Sequence, residues 1–142
     1  MTIAATITTL KTIVVGSSGI KTALINVPSA LTVGQLPCAI IWPDRGTLNE
    51  HAVGLYRFIQ TYIIRVYVKP IVQGANIDEG YQACFAPYSA LANTLIKNLS
   101  LNNTVDEVRQ PIRAIGPRGD FEWAGTTYHG FEFQLDVTEK TT

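Results

Sequence analysis

Charge is what this sequence has least of. Only 15% of its 142 residues are Asp, Glu, Lys or Arg, against roughly 25% in ordinary soluble domains. The 11 basic residues balance the 11 acidic ones, so no net field draws the chain as a whole toward nucleic acid or an anionic membrane. Cysteine is scarce too. Cys38 and Cys84 have no metal-ligand spacing and form no disulfide framework. His51 and His129 are the only histidines, and neither has a partner three or four residues away. No apolar run nears the roughly 18 residues of a membrane span. The N-terminus lacks the basic head and apolar body of a signal peptide, which makes the cytosol the expected place of synthesis. A glycine-rich phosphate loop is also missing, because Gly116-Pro117-Arg118-Gly119 reads as a turn closed by proline.

Threonine fills part of the polar quota. There are 16, five of them before residue 13. Threonine decorates strands, but a surface with few charges also fits a subunit whose surface is covered by neighbours. A chain of 142 residues reads as one domain, able to bury roughly 68 to 70% of its unfolded surface without staples.

The strongest pattern is YRFIQTYIIRVYVK, residues 56–69. Alternate positions place Tyr56, Phe58, Gln60, Tyr62, Ile64, Val66 and Val68 on one face, nearly all apolar. Arg57, Ile59, Thr61, Ile63, Arg65, Tyr67 and Lys69 lie on the other, a mixture suited to a partly covered sheet face. At about 3.3 Å per residue the run spans roughly 45 Å, long enough to stick out beyond its own core. LPCAIIW, residues 36–42, reads as a strand buried on both faces beside it. Residues 43–54 between the two, PDRGTLNEHAVG, read as a long polar loop.

Ile3, Ile7, Leu10 and Val14 form one stripe of an N-terminal helix ended by Gly16-Ser17-Ser18-Gly19. Residues 20–35 read as a loop or irregular edge strand. Asn76 with Glu79 gives a capping-box register. From Ile77 to Leu99 the apolar residues keep the helical period, which predicts one long helix of about 35 Å, with a kink or short break at 84–86 forced by Pro87. Val108, Ile112 and Ile115 predict a strand, turned at 116–119 and answered by 121–123. Residues 128–138 alternate, with Phe131, Phe133, Leu135 and Val137 opposite Glu132, Gln134 and Asp136. The tail at 138–142 should fray. The expected fold is α+β, residues 1–142 in a single domain. A mostly antiparallel sheet is backed on one side by the N-terminal helix and one long central helix.

Chemistry has little to work with. Asp78/Glu79 and Asp106/Glu107 are adjacent pairs whose side chains point apart, and the first pair sits where a helix N-terminus favours acids. Cys38 and Cys84 lie in apolar stretches, where cysteine packs as a small hydrophobe. Arg109, Arg113 and Arg118 make a small cationic strip without an aromatic platform, which favours a solvated face or a subunit contact. The expectation is no catalytic, cofactor or metal residue, with a small cysteine-dependent enzyme as the weaker alternative.

In order and local texture, residues 1–138 resemble the tail terminator and tail-completion proteins of long-tailed bacteriophages. The resemblance rests on an amphipathic helix, then LPCAIIWP, a long polar segment, YRFIQTYIIRVYVKP, the acid-opened helix NIDEGYQACF, and YHGFEFQLDV. It implies a virion structural protein, not an enzyme, assembled in the host cytoplasm. Six copies would form a ring at the head-proximal end of the tail tube, stopping tube growth and joining the tail to the head connector, with DNA passing through the lumen. It also places subunit or tube contacts in the segment 43–54 and around Arg118, with Asp44, Arg45, Glu50, Arg113, Arg118 and Asp120 as interface residues. Other neck, head-completion or tail-tube subunits are the nearest alternatives.

Overall fold

A computed structural model describes residues 3–25, 31, 33–52, 55–71 and 77–139. It has helix α1 (Ile3–Val15), strand β1 (Thr22–Leu24), a 3-10 turn (Val33–Gln35), β2 (Cys38–Ala52), β3 (Leu55–Pro70), α2 (Ile77–Gln82), α3 (Phe85–Ile96), β4 (Glu107–Trp123) and β5 (Thr126–Thr138). The five strands form one sheet in the order β1-β2-β3-β5-β4.

β3 is central because both of its faces find cover. Tyr62, Ile64 and Val66 are fully buried with Phe131, Phe133 and Leu135 of β5, under Leu10 and Val14 of α1 and Leu91 and Leu95 of α3. On the opposite face Tyr67 packs with Cys38, Ile40 and Tyr128, flanked by Trp42, Phe121 and Trp123. The Tyr67 ring meets Phe121, Trp123 and Tyr128 edge-on at 6.4, 6.0 and 5.4 Å, a geometry that matches ring edges to ring faces. Gly130 lies opposite Tyr67, and a Cβ there would stand 2.1 Å from the Val66 carbonyl oxygen. The close approach of β5 to β3 therefore requires glycine.

The sequence expectations need four corrections. The sheet is mixed: β1 runs parallel to β2, while β2–β3, β3–β5 and β5–β4 are antiparallel. The one long central helix is not formed. Its apolar period does continue, but the chain turns at Ala83 and Cys84 and restarts as α3 at Phe85. Pro87 then falls in the first turn, where its missing N–H has no helical partner to lose. Residues 43–52 are strand, not loop. β2 continues in register with β3 to Ala52↔Leu55, absorbing Pro43, Asp44 and Arg45 in an irregularity between Pro43 and Gly46. Residues 116–119 likewise make no hairpin. They form a register shift inside β4 between Ile115 and Gly119, with Gly116 at φ 133°, and the chain reverses at Ala124 and Gly125 instead. Asn76 and residues 140–142 lie outside the described residues.

One buried carboxylate ties α1 to the end of the sheet. Glu139 is almost fully buried. Thr6 Oγ1 of α1 donates to it at 2.8 Å, and the buried Tyr62 hydroxyl of β3 donates to its other oxygen. Burial and the adjacent carboxylate together push the Tyr62 hydroxyl well above the ordinary tyrosine range. Tyr62→Phe keeps the ring but leaves the carboxylate short of a donor, and should lower stability by about 1–3 kcal/mol. Urea denaturation measures it, and an unchanged midpoint would contradict this role.

Candidate interface on the open sheet face

β3, β5 and β4 place a line of polar side chains on the face opposite the helices, because register pairs Arg65 with Glu132, Ile63 with Gln134 and Thr61 with Asp136. The line is continuous. Arg65 Nε and Nη2 reach Glu132 Oε1 at 2.8 and 2.7 Å. Gln134 Nε2 donates to Glu132 Oε2 at 2.8 Å, and Arg113 Nε to Gln134 Oε1 at 3.3 Å. The Arg113 guanidinium grips Asp136 with two bonds of 2.8 and 3.1 Å, and Thr61 Oγ1 donates to the same carboxylate at 2.6 Å. The hydrogen bond from Arg113, joined by that from Thr61, holds the Asp136 carboxyl below its usual value of 3.8. Glu132 is 2% exposed, so its carboxylate is cut off from water and takes its partners from Arg65 and Gln134. The guanidinium in turn lies 4.6 Å from the Phe121 ring and 5.2 Å from Trp42, within cation–π reach of both.

Three of the expected interface residues meet at this line. Asp44, Arg45 and Arg113, with Thr61, Gln134 and Asp136, border a polar groove of about 420 Å³. Arg45 has an 85% exposed side chain, and its closest acid is its neighbour Asp44 at 3.4 Å. The Arg45 carbonyl accepts from Gln60 Nε2 at 3.0 Å, which fixes the backbone irregularity of β2.

Arg118 and Asp120 are elsewhere. Register places Asp120 opposite His129, on the helix side, where both residues are committed to α2. Tyr81 Oη donates to Asp120 Oδ1 at 2.8 Å, Arg118 lies 4.4 Å over the Tyr81 ring, and Arg118 Nη2 is 3.7 Å from Asp78 Oδ1. The three arginines of β4 thus make no single strip. Glu50 is placed only by its register with Tyr56 near the hairpin tip, and its side chain lies outside the described residues.

Sequence reasoning missed the most exposed large apolar side chain among the described residues. Leu48 is 65% exposed and pairs across the hairpin with Phe58, on the face that β3 buries further along. β5 ends its pairing with β3 at Ile59↔Thr138, so this end of the hairpin runs beyond β5. The length of β3 was visible in the sequence, but not that residues 46–52 pair along it as the other arm of the hairpin. The network Arg65–Glu132–Gln134–Arg113 was equally hidden, since its members are far apart in sequence and meet only through register.

A thiol enzyme finds no support in this arrangement. Cys38 and Cys84 are both buried, and burial pushes both thiols up to about 11, away from the thiolate that nucleophilic chemistry needs. Among the described residues no three His, Cys, Asp or Glu side chains gather as a metal site requires, and no helix is long and apolar enough to cross a membrane. No protein-family model matches the chain, and no curated protein matches it.

Two outcomes follow for this face. Arg65→Ala strands the Glu132 charge and should destabilise the fold by on the order of 3 kcal/mol. Arg113→Ala, at a half-exposed pair, should cost less than about 1 kcal/mol at neutral pH. That smaller difference closes as pH falls through the lowered Asp136 value, because the pair contributes only while Asp136 is ionised. Denaturation curves of both variants between pH 7 and 2 measure this, and equal losses would contradict it. Native thiol titration at pH 7 should modify neither cysteine until denaturant is added. Rapid modification of either one would reopen the enzyme alternative.

Proposed function

We propose that the chain is a ring-forming structural subunit of a long-tailed bacteriophage, a tail terminator at the head-proximal end of the tail tube. The single observation that carries the reading is the β2–β3 hairpin. It continues past the end of β5 and leaves Leu48 largely exposed. A hairpin that outruns its own core needs a neighbour, and a neighbour supplied by another copy generates a closed ring when the rotation closes. The polar groove at Asp44, Arg45 and Arg113 lies beside the root of this hairpin and supplies a second, polar contact. The sheet edge adds to this, because among the described residues β1 pairs only with Cys38, Ala39 and Ile40 of β2. Six copies would enclose a lumen through which DNA passes, and the balanced charge of the chain suits passage without tight gripping. In this role one rim stops the tube protein from adding further rings and the other receives the head connector. The protein would be part of the virion neck, assembled in the host cytoplasm.

Native mass spectrometry over a range of concentrations, with the same sample in negative stain, tests the proposal. A single closed ring of one size, centred on six copies, is the expected result. Open stacks would move the assignment to a tube subunit, and a monomer at every concentration would contradict the ring. Arg45→Glu should impair joining of tails to heads in an assembly assay, whereas Arg118→Glu should act mainly through loss of α2 packing.

A further inference from the structure

The buried imidazole beneath α2 has no part in the proposed interface, and its surroundings are arranged against a positive charge. His129 is 2% exposed, and among the described residues its buried Nδ1 has no hydrogen-bond partner. Every element packed against it is close. Gly80 of α2 sits directly on the ring, since a Cβ there would fall 2.3 Å from Nε2. The Tyr81 ring meets the imidazole edge-on at 4.4 Å between centroids. On β3, Lys69 is its register partner, and on β4 it is Asp120. Lys69 is a second cation. Asp120 is the acid, but both of its oxygens already lie within hydrogen-bond distance of Tyr81 Oη, at 2.8 and 3.1 Å. Beyond it are Arg118, stacked on Tyr81, and the buried Cys84 in the turn after α2.

We infer that α2 is a proton-sensitive latch: taking up a proton at His129 releases α2 from β5. The imidazolium must donate from both ring nitrogens, and Nδ1 has no acceptor where it lies. A buried cation without a partner is expensive. Two responses relieve it, and both free α2. Water can enter if α2 lifts from the ring. Alternatively Asp120 can turn toward His129, which breaks its bond to Tyr81, a polar tie between α2 and the sheet. The sign follows from burial, which lowers His129 below its ordinary value of 6.5, with Asp120 opposing and Lys69 reinforcing the shift. The folded form with α2 docked binds fewer protons than the open form. Docking is therefore fully present above the ordinary histidine range and is lost as pH falls through it. This latch is independent of the ring reading.

Hydrogen–deuterium exchange on the full chain, expressed as protection factors so that intrinsic pH effects cancel, tests the latch. Between pH 7.5 and 5.0 the amides from Tyr81 to Cys84 should lose protection by about tenfold, while those of α3 hold. His129→Gln should keep α2 protected at both pH values. Gly80→Ala, which forces α2 off the ring, should show the low protection already at pH 7.5. Protection of α2 that ignores pH in the wild type, or that falls equally in His129→Gln, would overturn the latch. Should His129→Gln not fold, the wild type alone decides through its imidazole nitrogen shifts. A common midpoint for His129 and the α2 amide shifts upholds the latch, and separate midpoints overturn it.

Discussion

The ion pair between Arg65 and Glu132 decides how the second face of this sheet is built. A carboxylate as buried as Glu132 is tolerable only with a cation in contact and its other oxygen satisfied. Arg65 supplies the first and Gln134 the second. Arg65 in turn is held between Trp42 and Phe121, so the pair fixes where β2 and β4 cross the face as well as how β3 meets β5. Gln134 passes the constraint on to Arg113, and Arg113 to Asp136 and Thr61. The face becomes an ordered polar ladder with an aromatic end around Tyr67. The helices are left to cover only the other side.

That division of labour explains why the hairpin can outgrow the domain. The core of α1, α3 and the sheet centre ends near Tyr62 and Glu139, yet β2 and β3 keep pairing to Ala52 and Leu55. Beyond Phe58, whose carbonyl accepts from the Glu139 N–H at 2.9 Å, β2 and β3 continue past their pairing with β5 as a two-stranded ribbon, and such a ribbon is marginal in water. The residues on it follow suit: Pro43 to Leu48 are all exposed. In the proposed ring this ribbon gains its stability from the next subunit. The low charge of the whole chain then has a physical reason, because edges covered by neighbours need few lysines to guard them.

Much of the centre was legible in the sequence. The alternation in residues 56–69 assigned Tyr62, Ile64 and Val66 to the buried face and Arg65 and Thr61 to the other. The alternation in β5 did the same for Phe131, Phe133 and Leu135 against Glu132, Gln134 and Asp136. The stripe of α1 was visible because Leu10 and Val14 are spaced for a helix and are fully buried. What failed was local composition read without its partner strand. Pro43, Asp44, Arg45 and Gly46 look like a loop, but a strand as long as β3 holds such residues in a bulge. Gly116 and Pro117 look like a hairpin, yet they bend an edge strand that stays paired to β5 on both sides of the irregularity. The unbroken helical period from 77 to 99 suggested one helix with at most a kink or short break at 84–86, where the chain in fact turns and starts a separate helix at Phe85, because two short helices buried on the same side keep one phase of apolar residues. Arg113 and Arg118 are split for a simpler reason: their odd spacing along β4 puts them on opposite faces, and the irregularity between Ile115 and Gly119 adds two residues and leaves that alternation intact.

The central claim is that the overhanging end of the β2–β3 hairpin serves assembly and not folding. Sedimentation velocity of Leu48→Asp beside the wild type tests it most directly, because Leu48 is exposed in the single chain and its replacement removes nothing from the core. The wild type should sediment as one closed oligomer, and the variant as a folded monomer with an unchanged circular dichroism spectrum. A variant that still sediments with the wild type would contradict the claim, as would one that unfolds.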